Sequence, residues 1–511
     1  MSGFIKIVRG EDVKILDKRT MEYGGIASSE LMERSALAMA EYLNKEFGPG
    51  KRYCIFAGRG NNGGDGFALA RLLPDAKVRV FHISSEEEMS ADCRLNYKRF
   101  RDMGGEVRHI EKAVDISVAE DEILVDALFG VGINRPLKGE VAGIVAYMNS
   151  LPNTVVAVDI PSGLMPEENS ANERTAVVRA DMTLTLGLPK LALFFPENAD
   201  FVGRWSVADI GLSAKAVDEY ASPFYMLTEE TVMGILPREP KFAHKGTNGC
   251  GLLIAGSRGM MGAAVLAARG ALNSGIGLLK VHVPGCGADV IQMAVPEAIA
   301  IADVSPHCFS SFGPEEVVSV AAIGPGLGKS EVCRKALEDF LKRMRQPLIL
   351  DADALNHMAE NPALLDLLPE NSILTPHLKE FERLAGKSSD DFERLNKLLN
   401  FAVAKHVYVV LKGAHTIVAT PDGEAFFNTS GNPGMAKGGS GDVLTGVLLA
   451  LAARGMTPSE VCCLGVYIHG MAGDIAASQY GMRGVNAGYI AAALGAAWRR
   501  METNRFIKNK L

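Results

Sequence analysis

Short apolar runs alternate with longer amphipathic stretches through both halves of the chain. In the first half the runs 53–57, 78–81, 123–125, 154–158 and 182–186 predict buried strands. Residues 29–43 predict a helix whose mostly apolar face carries Leu31, Met32, Ser35, Leu37, Ala38 and Tyr42, and 67–73 predict another. Strands that are continuously apolar, with room for a helix between most of them, predict a parallel sheet covered on both faces. Polar residues gather at the predicted strand ends: the glycine loop 58–66, Asp126, Asp159 to Gly163, and Gly187 to Lys190. Open α/β sheets bind ligands at that edge, although a single strand-end Asp is often only a helix cap.

The pattern loosens between 208 and 236, where 213–218 and 227–232 predict short helices. Pro237-Arg238-Glu239-Pro240 reads as a linker or turn. A second alternation follows, with strands at 250–255, 278–283, 318–323, 347–350, 372–374 and 407–411 and a helix at 262–274. Thr457-Pro458-Ser459-Glu460 is a capping box with Pro at the first helical position. The domain boundary is placed near 225, giving 1–225 and 226–511, each α/β.

Composition narrows the class. Apolar residues make up 48% and charged residues 22% of 511, an ordinary globular balance with length for more than one core. A formal charge of −7 argues against nucleic-acid binding through counterion release. The eight cysteines form no CxxC pair and the ten histidines show no ligand spacing, so free thiols in a reducing compartment are expected rather than a thiolate or imidazole metal site. The N-terminus has no apolar leader, and weakly polar stretches such as 485–498 fall short of the roughly 18 residues that span a bilayer. The expectation is a cytoplasmic protein without a membrane partner.

Chemistry concentrates in two glycine loops. Gly438-Gly439-Ser440-Gly441-Asp442 precedes the apolar-periodic Val443, Leu444, Val447, Leu448 and Leu451. Such a loop turns backbone N–H groups toward an anion at a helix N-terminus. A carboxylate beside a phosphate site repels what it would bind, so Asp442 makes sense as a base or orienting group for a hydroxyl in phosphoryl transfer. If the second sheet is parallel, Gly324–Gly328, His377 and Lys412 converge on the same edge, and Lys412 supplies a cation for phosphate. The other loop, Gly58–Gly66, lacks the dinucleotide GxGxxG spacing. It offers side-chain oxygens as well as N–H groups, and oxygens of Asn62, Asp126 and Ser162 could meet a monovalent or hard cation.

These motifs, in this order, resemble the bifunctional NAD(P)H-hydrate repair enzymes over nearly the whole chain. The first half resembles the NAD(P)HX epimerase through 58–66, Val125 to Gly132 and Val158 to Gly163. The second resembles the ADP-dependent NAD(P)HX dehydratase through His244-Lys245-Gly246, 262–264, 324–328, 351–355, 375–377, 412–416 and 431–442. The resemblance implies a Rossmann-like parallel-sheet domain followed by a ribokinase-like α/β domain. It implies that R and S hydrates, which carry a hydroxyl at C6 of the nicotinamide ring, are interconverted. The S form is then phosphorylated from ADP and loses phosphate, giving NAD(P)H, AMP and phosphate.

Carried over by position, the hydrate would meet Asn61, Asn62, Gly63, Gly64, Asp65, Gly130, Val131, Gly132, Ile133, Asn134, Arg135, Pro136 and Asp159 in the first domain. Asn62, Asp126 and Ser162 would hold potassium. In the second domain Ala264, Gly328, His377 and Asp442 would meet the hydrate. Lys412, Gly413, Ala414, His415, Thr416 and Gly441 would meet the nucleotide, with Mg²⁺ on its phosphates. Asp442 would be catalytic in the dehydratase, and Asp65 and Asp159 are both candidates for acid and base in the epimerase. A homo-oligomer is expected. Three positions depart from the family pattern: Lys379 beside Glu380, Ser35-Ala36 in the first helix, and Val131 in place of a common Thr. A small-alcohol kinase fused to a nucleotide-binding domain is the enzymatic rival, and a binding module in the first half the non-enzymatic one.

Overall fold

The computed structural model describes residues 4–73, 76–313 and 320–508. These fold into two compact units, one from Lys6–Ser222 with Ser389–Phe392, the other from Met1–Ile5, Pro223–Ser388 and Glu393–Leu511. Among the described residues the strands run β1 (Ile5–Lys6), β2 (Arg52–Ala57), β3 (Lys77–His82), β4 (Glu106–His109), β5 (Glu122–Ala127), β6 (Val155–Val158), β7 (Met182–Leu186) and β8 (Arg204–Ala208). They continue with β9 (Phe224–Leu227), β10 (Cys250–Ile254), β11 (Leu278–Val283), β12 (Ile299–Ala302), β13 (Val320–Ile323), β14 (Leu348–Leu350), β15 (Ile373–Leu374), β16 (Tyr408–Leu411), β17 (Ile417–Ala419) and β18 (Ala425–Asn428).

The first unit is built on a sheet of order β4-β3-β2-β5-β6-β7-β8. Every pairing in it is parallel; Ile55, for example, faces Val80 on one side and Val125 on the other. Counted from β2, the order is 3-2-1-4-5-6-7, the 3-2-1-4-5-6 order of doubly wound Rossmann-like sheets with β8 added at one edge, and it reverses between β2 and β5. Central strands have no exposed face, hence their unbroken apolar sequences. The helix predicted at 29–43 spans Ser28–Phe47 and buries Leu31, Met32, Ser35, Ala36, Met39, Ala40 and Leu43. The stripe 32-36-39-43 faces the core, whereas Leu37 is 50% exposed, so the predicted face was misplaced by part of a turn. The polar edge strand β4, Glu-Val-Arg-His, carries no such apolar signature.

In the second unit the sheet order is β1-β9-β18-β17-β16-β15-β14-β13-β10-β11-β12. From β12 to β16 the pairings are parallel, so the loops after β13, β14, β15 and β16 leave one edge. Strands β16, β17 and β18 form an antiparallel meander, so the condition of a parallel sheet holds from β12 to β16 and not beyond. Residues 227–232 are not one helix: Leu227 closes β9, and Thr228 caps a helix at Glu229–Met233. The strand predicted from 318 is seen from Val320, and residues 318 and 319 lie outside the described residues. Helices Met261–Leu272, Ser440–Ala453 and the long Pro458–Gly484 pack over one face of the sheet. Pro458–Gly484 is apolar and long enough to cross a membrane, but 78% of its apolar window is buried in the protein, as befits a core helix.

Candidate functional sites

In the first unit the site lies where the strand order reverses. The Gly58–Gly66 segment is less loop than expected: a helix begins at Asn61 and runs to Arg71 with Gly60 as N-cap. A side chain at Gly63 would overlap the Gly58 carbonyl, and one at Gly58 would overlap the Leu128 carbonyl, so glycine lets the first turn press onto the chain leaving β2 and that chain press onto the end of β5. Gly130 sits against Asn62 and Asp159, with its Cβ direction 3.2 Å from Asn62 Oδ1 and 3.5 Å from Asp159 Oδ2. Asn61 Oδ1 accepts from Ser90 Oγ at 2.9 Å, and Val131 through Pro136 continue as irregular, partly exposed chain.

Asp159 centres a three-residue turn at φ 67°, in which Ile160 N donates to Val158 O at 2.8 Å. This left-handed backbone is strained for a non-glycine residue and typical of functional positions. Its Oδ1 accepts from the Leu186 N–H (3.1 Å) and from the Lys190 ammonium. Lys190 is 1% exposed and also donates to Thr185 Oγ1 (3.1 Å) and Leu186 O (2.9 Å). Asp65 is buried nearby; burial, then the charges of Asp159, Asp17 and Asp92, push its carboxyl well above the usual range. Burial also raises Asp17, to about 6, against the pull of Lys190. The site therefore holds three carboxyls around one buried ammonium. Lys190 was legible only as a polar strand-end residue, and Asp17 gave no signal in the sequence.

Asp126 and Ser162 meet directly. Ser162 donates to Asp126 from Oγ (2.6 Å) and from N (2.7 Å), and Phe129 N donates to Ser162 Oγ at 2.8 Å. Burial pushes Asp126 up to about 6 despite these neutral donors. Asn62 leaves Nδ2 buried without a partner.

In the second unit Gly439, at φ 93°, caps the helix Ser440–Ala453, which places Asp442 in the first turn. Burial raises Asp442 to about 7; Asp351 adds to the rise, Lys412 opposes it, and Asp353 adds a little more. Lys412 follows β16 and its Nζ lies 2.7 Å from Asp351 Oδ1 and 3.2 Å from the Cβ direction of Gly441. Asp351, 1% exposed at the end of β14, also accepts from Thr445 Oγ1 at 2.7 Å. Asp351 and Thr445 are functional neighbours that the residue-by-residue reading missed; the strand-end Asp351-Ala352-Asp353 was the available signal.

His377 pairs with Lys412 through an isolated parallel bridge, and Lys412 N donates to Pro376 O at 2.9 Å. Its Nδ1 accepts from Lys379 N (3.1 Å) and Glu380 N (3.3 Å), so the ring caps the helix Leu378–Ala385 and leaves Nε2 as its proton-bearing end when neutral. Gly328 N donates to Asp353 Oδ2 at 2.9 Å. Ala264 is fully buried in Met261–Leu272. In the 412–416 turn, Thr416 Oγ1 donates to Gly413 O (3.1 Å), His415 Nδ1 lies 3.1 Å from Asn428 O, and Gly413 and Ala414 are exposed. Glycine amides, a lysine and a carboxyl poised near neutrality form a phosphoryl-transfer arrangement.

Fold and sites together define a two-domain α/β enzyme, a Rossmann-like unit joined to a ribokinase-like one. Residues 28–192 match the YjeF-related protein N-terminus model and 251–495 the NAD(P)H-hydrate dehydratase model. The chain is 36% identical over 517 residues, 97% of each chain, to the bifunctional NAD(P)H-hydrate repair enzyme Nnr of Moorella thermoacetica. The Escherichia coli K12 enzyme of that name is 31% identical over 480 residues, 93% of this chain and 90% of that one. A crystal structure of the Bacillus subtilis ADP/ATP-dependent NAD(P)H-hydrate dehydratase, co-crystallised with ATP/Mg²⁺, is 34% identical. It covers 54% of this chain and 97% of its own, with a TM-score of 0.49. This chain belongs to the family of bifunctional NAD(P)H-hydrate repair enzymes.

Proposed function

We propose that residues 1–225 epimerise R- and S-NAD(P)HX and that residues 226–511 dehydrate the S form with ADP, giving NAD(P)H, AMP and phosphate. The observation that carries the second assignment is Asp442, a carboxyl raised to about 7 in the first turn after a glycine anion loop. Its carboxylate takes the proton of the C6 hydroxyl as that oxygen attacks the terminal phosphorus of ADP and the bond to AMP breaks. Lys412 and the amides of Gly438–Gly441 hold the charge on the transferring group. The ring nitrogen then expels phosphate from C6 while C5 gives up a proton to the departing phosphate, restoring the double bond. His377 and Gly328 orient the hydrate, and residues 412–416 receive the nucleotide. Mg²⁺ would neutralise charge on the phosphates, which carry most of its ligands themselves.

For epimerisation the C6 hydroxyl sits beside the ring nitrogen, so protonating it helps the C–O bond to open and a base helps it to close on the other face. Asp65, whose carboxyl burial pushes well above the usual range, suits the acid, and Asp159, held by Lys190, suits the base. Asn61 to Gly64 and Gly130 to Pro136 would line the hydrate. Potassium would be held by Asp126 and Ser162, with Asn62 as a third ligand; Asp126 suits it as a buried carboxylate with neutral donors alone. The ion would supply positive charge there. Eight free thiols suit a reducing compartment such as the cytoplasm. The test is to mix the protein with hydrated NADH epimers and ADP and follow absorbance of reduced nicotinamide with release of phosphate. A stable phosphorylated product without NADH would favour the kinase reading instead.

A further inference from the structure

The Asp442 loop is fixed by more than its glycines. Lys437, one residue before them, donates from Nζ to Arg483 O at 2.6 Å and also to Val485 O. Both acceptors lie at the corner where the helix Pro458–Gly484 turns into Ala487–Lys508, next to Gly481, whose φ of 68° breaks the helical path. The carbonyl of Lys437 accepts from Ser440 N at 3.4 Å at the start of the catalytic helix. One residue thus joins the corner to the anion loop at both of its ends. The corner touches the loop again where Met482 O blocks the Cβ direction of Gly434 and the Ala487 methyl lies 3.0 Å from that of Gly439. On the other side Asp474 accepts from Gly431 N (2.9 Å) and Asn432 Nδ2 (2.8 Å), anchoring the loop's beginning to the same long helix.

We propose that Lys437 is a positioning residue for the dehydratase reaction, holding the Gly438–Gly441 amides in line with Asp442 by tying the loop to the 481–485 corner. This rests on the proposed role of that loop. The amides are aimed at charge that develops during transfer, so a slackened loop should cost turnover rather than ground-state binding. A lysine that only caps helix carbonyls would instead affect stability alone.

The experiment compares Lys437→Met, Lys437→Arg and Asp474→Ala in the full chain, measuring kcat, KM for ADP and for the hydrate, and thermal midpoint. Lys437→Met should lower kcat about 10-fold with both KM values within about 2-fold. Lys437→Arg, which can still donate to two carbonyls, should recover most of the loss, and Asp474→Ala should show the same split from the loop's other anchor. A lower midpoint with unchanged kcat, or a raised KM with unchanged kcat, overturns the proposal. Asp442→Asn run alongside separates the two failures: if it is fully active, the reading of the loop itself is wrong. Should Lys437→Met fail to fold, the Arg and Asp474→Ala variants still decide.

Discussion

Lys412 Nζ lies 2.7 Å from Asp351 Oδ1, so the cation that faces the anion loop is held by a buried carboxylate. The pair fixes the ammonium, and Asp351 in turn raises Asp442. Asp351→Asn should therefore move the acid limb of the kcat–pH profile below its wild-type midpoint near neutrality, because one negative charge facing Asp442 is gone. Lys412 and Asp353 remain to act on it. Turnover at the optimum should also fall, since Lys412 and Thr445 lose their charged acceptor. An unshifted limb would detach Asp351 from the base.

Asp442 itself links activity to stability. Its folded value of about 7 stands above the ordinary carboxyl value of 3.8, so the native state binds the proton more tightly than the unfolded chain. Stability from this group is complete below about pH 4 and is lost as pH rises through 7. Asp442→Asn should lower dehydration by roughly 10²–10⁴-fold, as for a lost general base. The same variant should be more stable than wild type at pH 8, by on the order of 1–3 kcal/mol, with the gain fading toward pH 4. Denaturant titration at the two pH values, beside single-turnover rates, checks both halves.

Much of this was readable in the chain, for reasons that differ by element. Strands β2, β5, β6 and β7 announce themselves because strands buried on both faces need unbroken apolar runs. The edge strand β4 and the β17–β18 hairpin stay hidden, one because its side chains meet water, the other because its strands are three and four residues long. Asp442 stood out because its glycines and its helix are contiguous. Asp351 and Lys190 did not, because their partners Lys412 and Asp159 are 61 and 31 residues away. Only the sheet order brings such pairs together, and a strand-end carboxylate looks the same in sequence whether it meets a lysine or merely caps a helix.

Lys190 gives the first unit its sharpest test. Lys190→Met would leave Asp159 buried beside Asp65 and Asp17 with no ammonium among them. Breaking a buried pair in this way costs about 3–5 kcal/mol. Asp17, already near 6 and otherwise lowered by Lys190, should rise further and take up a proton more readily as pH falls. The destabilisation should then be greatest at pH 8 and smaller at pH 5. Thermal unfolding at both values decides it, and epimer exchange should be lost throughout.

Potassium removal probes Asp126. Exchanging potassium for a large organic cation should slow epimerisation and lower thermal stability, with both restored on adding potassium back. Asp126→Asn removes the buried charge that attracts the ion, so in this variant the two buffers should behave alike. A wild-type protein indifferent to the exchange would leave Asp126 a purely structural acceptor of the Ser162 hydrogen bonds.

The two chemistries should come apart in full-length variants. Asp442 and the phosphoryl-binding amides sit on one rigid helix start, so a single face of the ring carbon presents its hydroxyl in line. Asp159→Ala should leave that geometry intact. With ADP it should consume the S epimer at the wild-type rate, after which the remaining R form should drain only as fast as it epimerises without enzyme. Asp442→Asn should do the reverse, equilibrating the epimers while forming almost no NADH. Mixing the two variants should restore consumption of the whole pool, because the hydrate can leave one protein and enter the other. Chiral chromatography of the hydrates, with absorbance of reduced nicotinamide recorded in parallel, follows both reactions. Equal consumption of R and S by Asp159→Ala, above the rate of a no-enzyme epimerisation control, would show that one site handles both forms and would defeat the division proposed here.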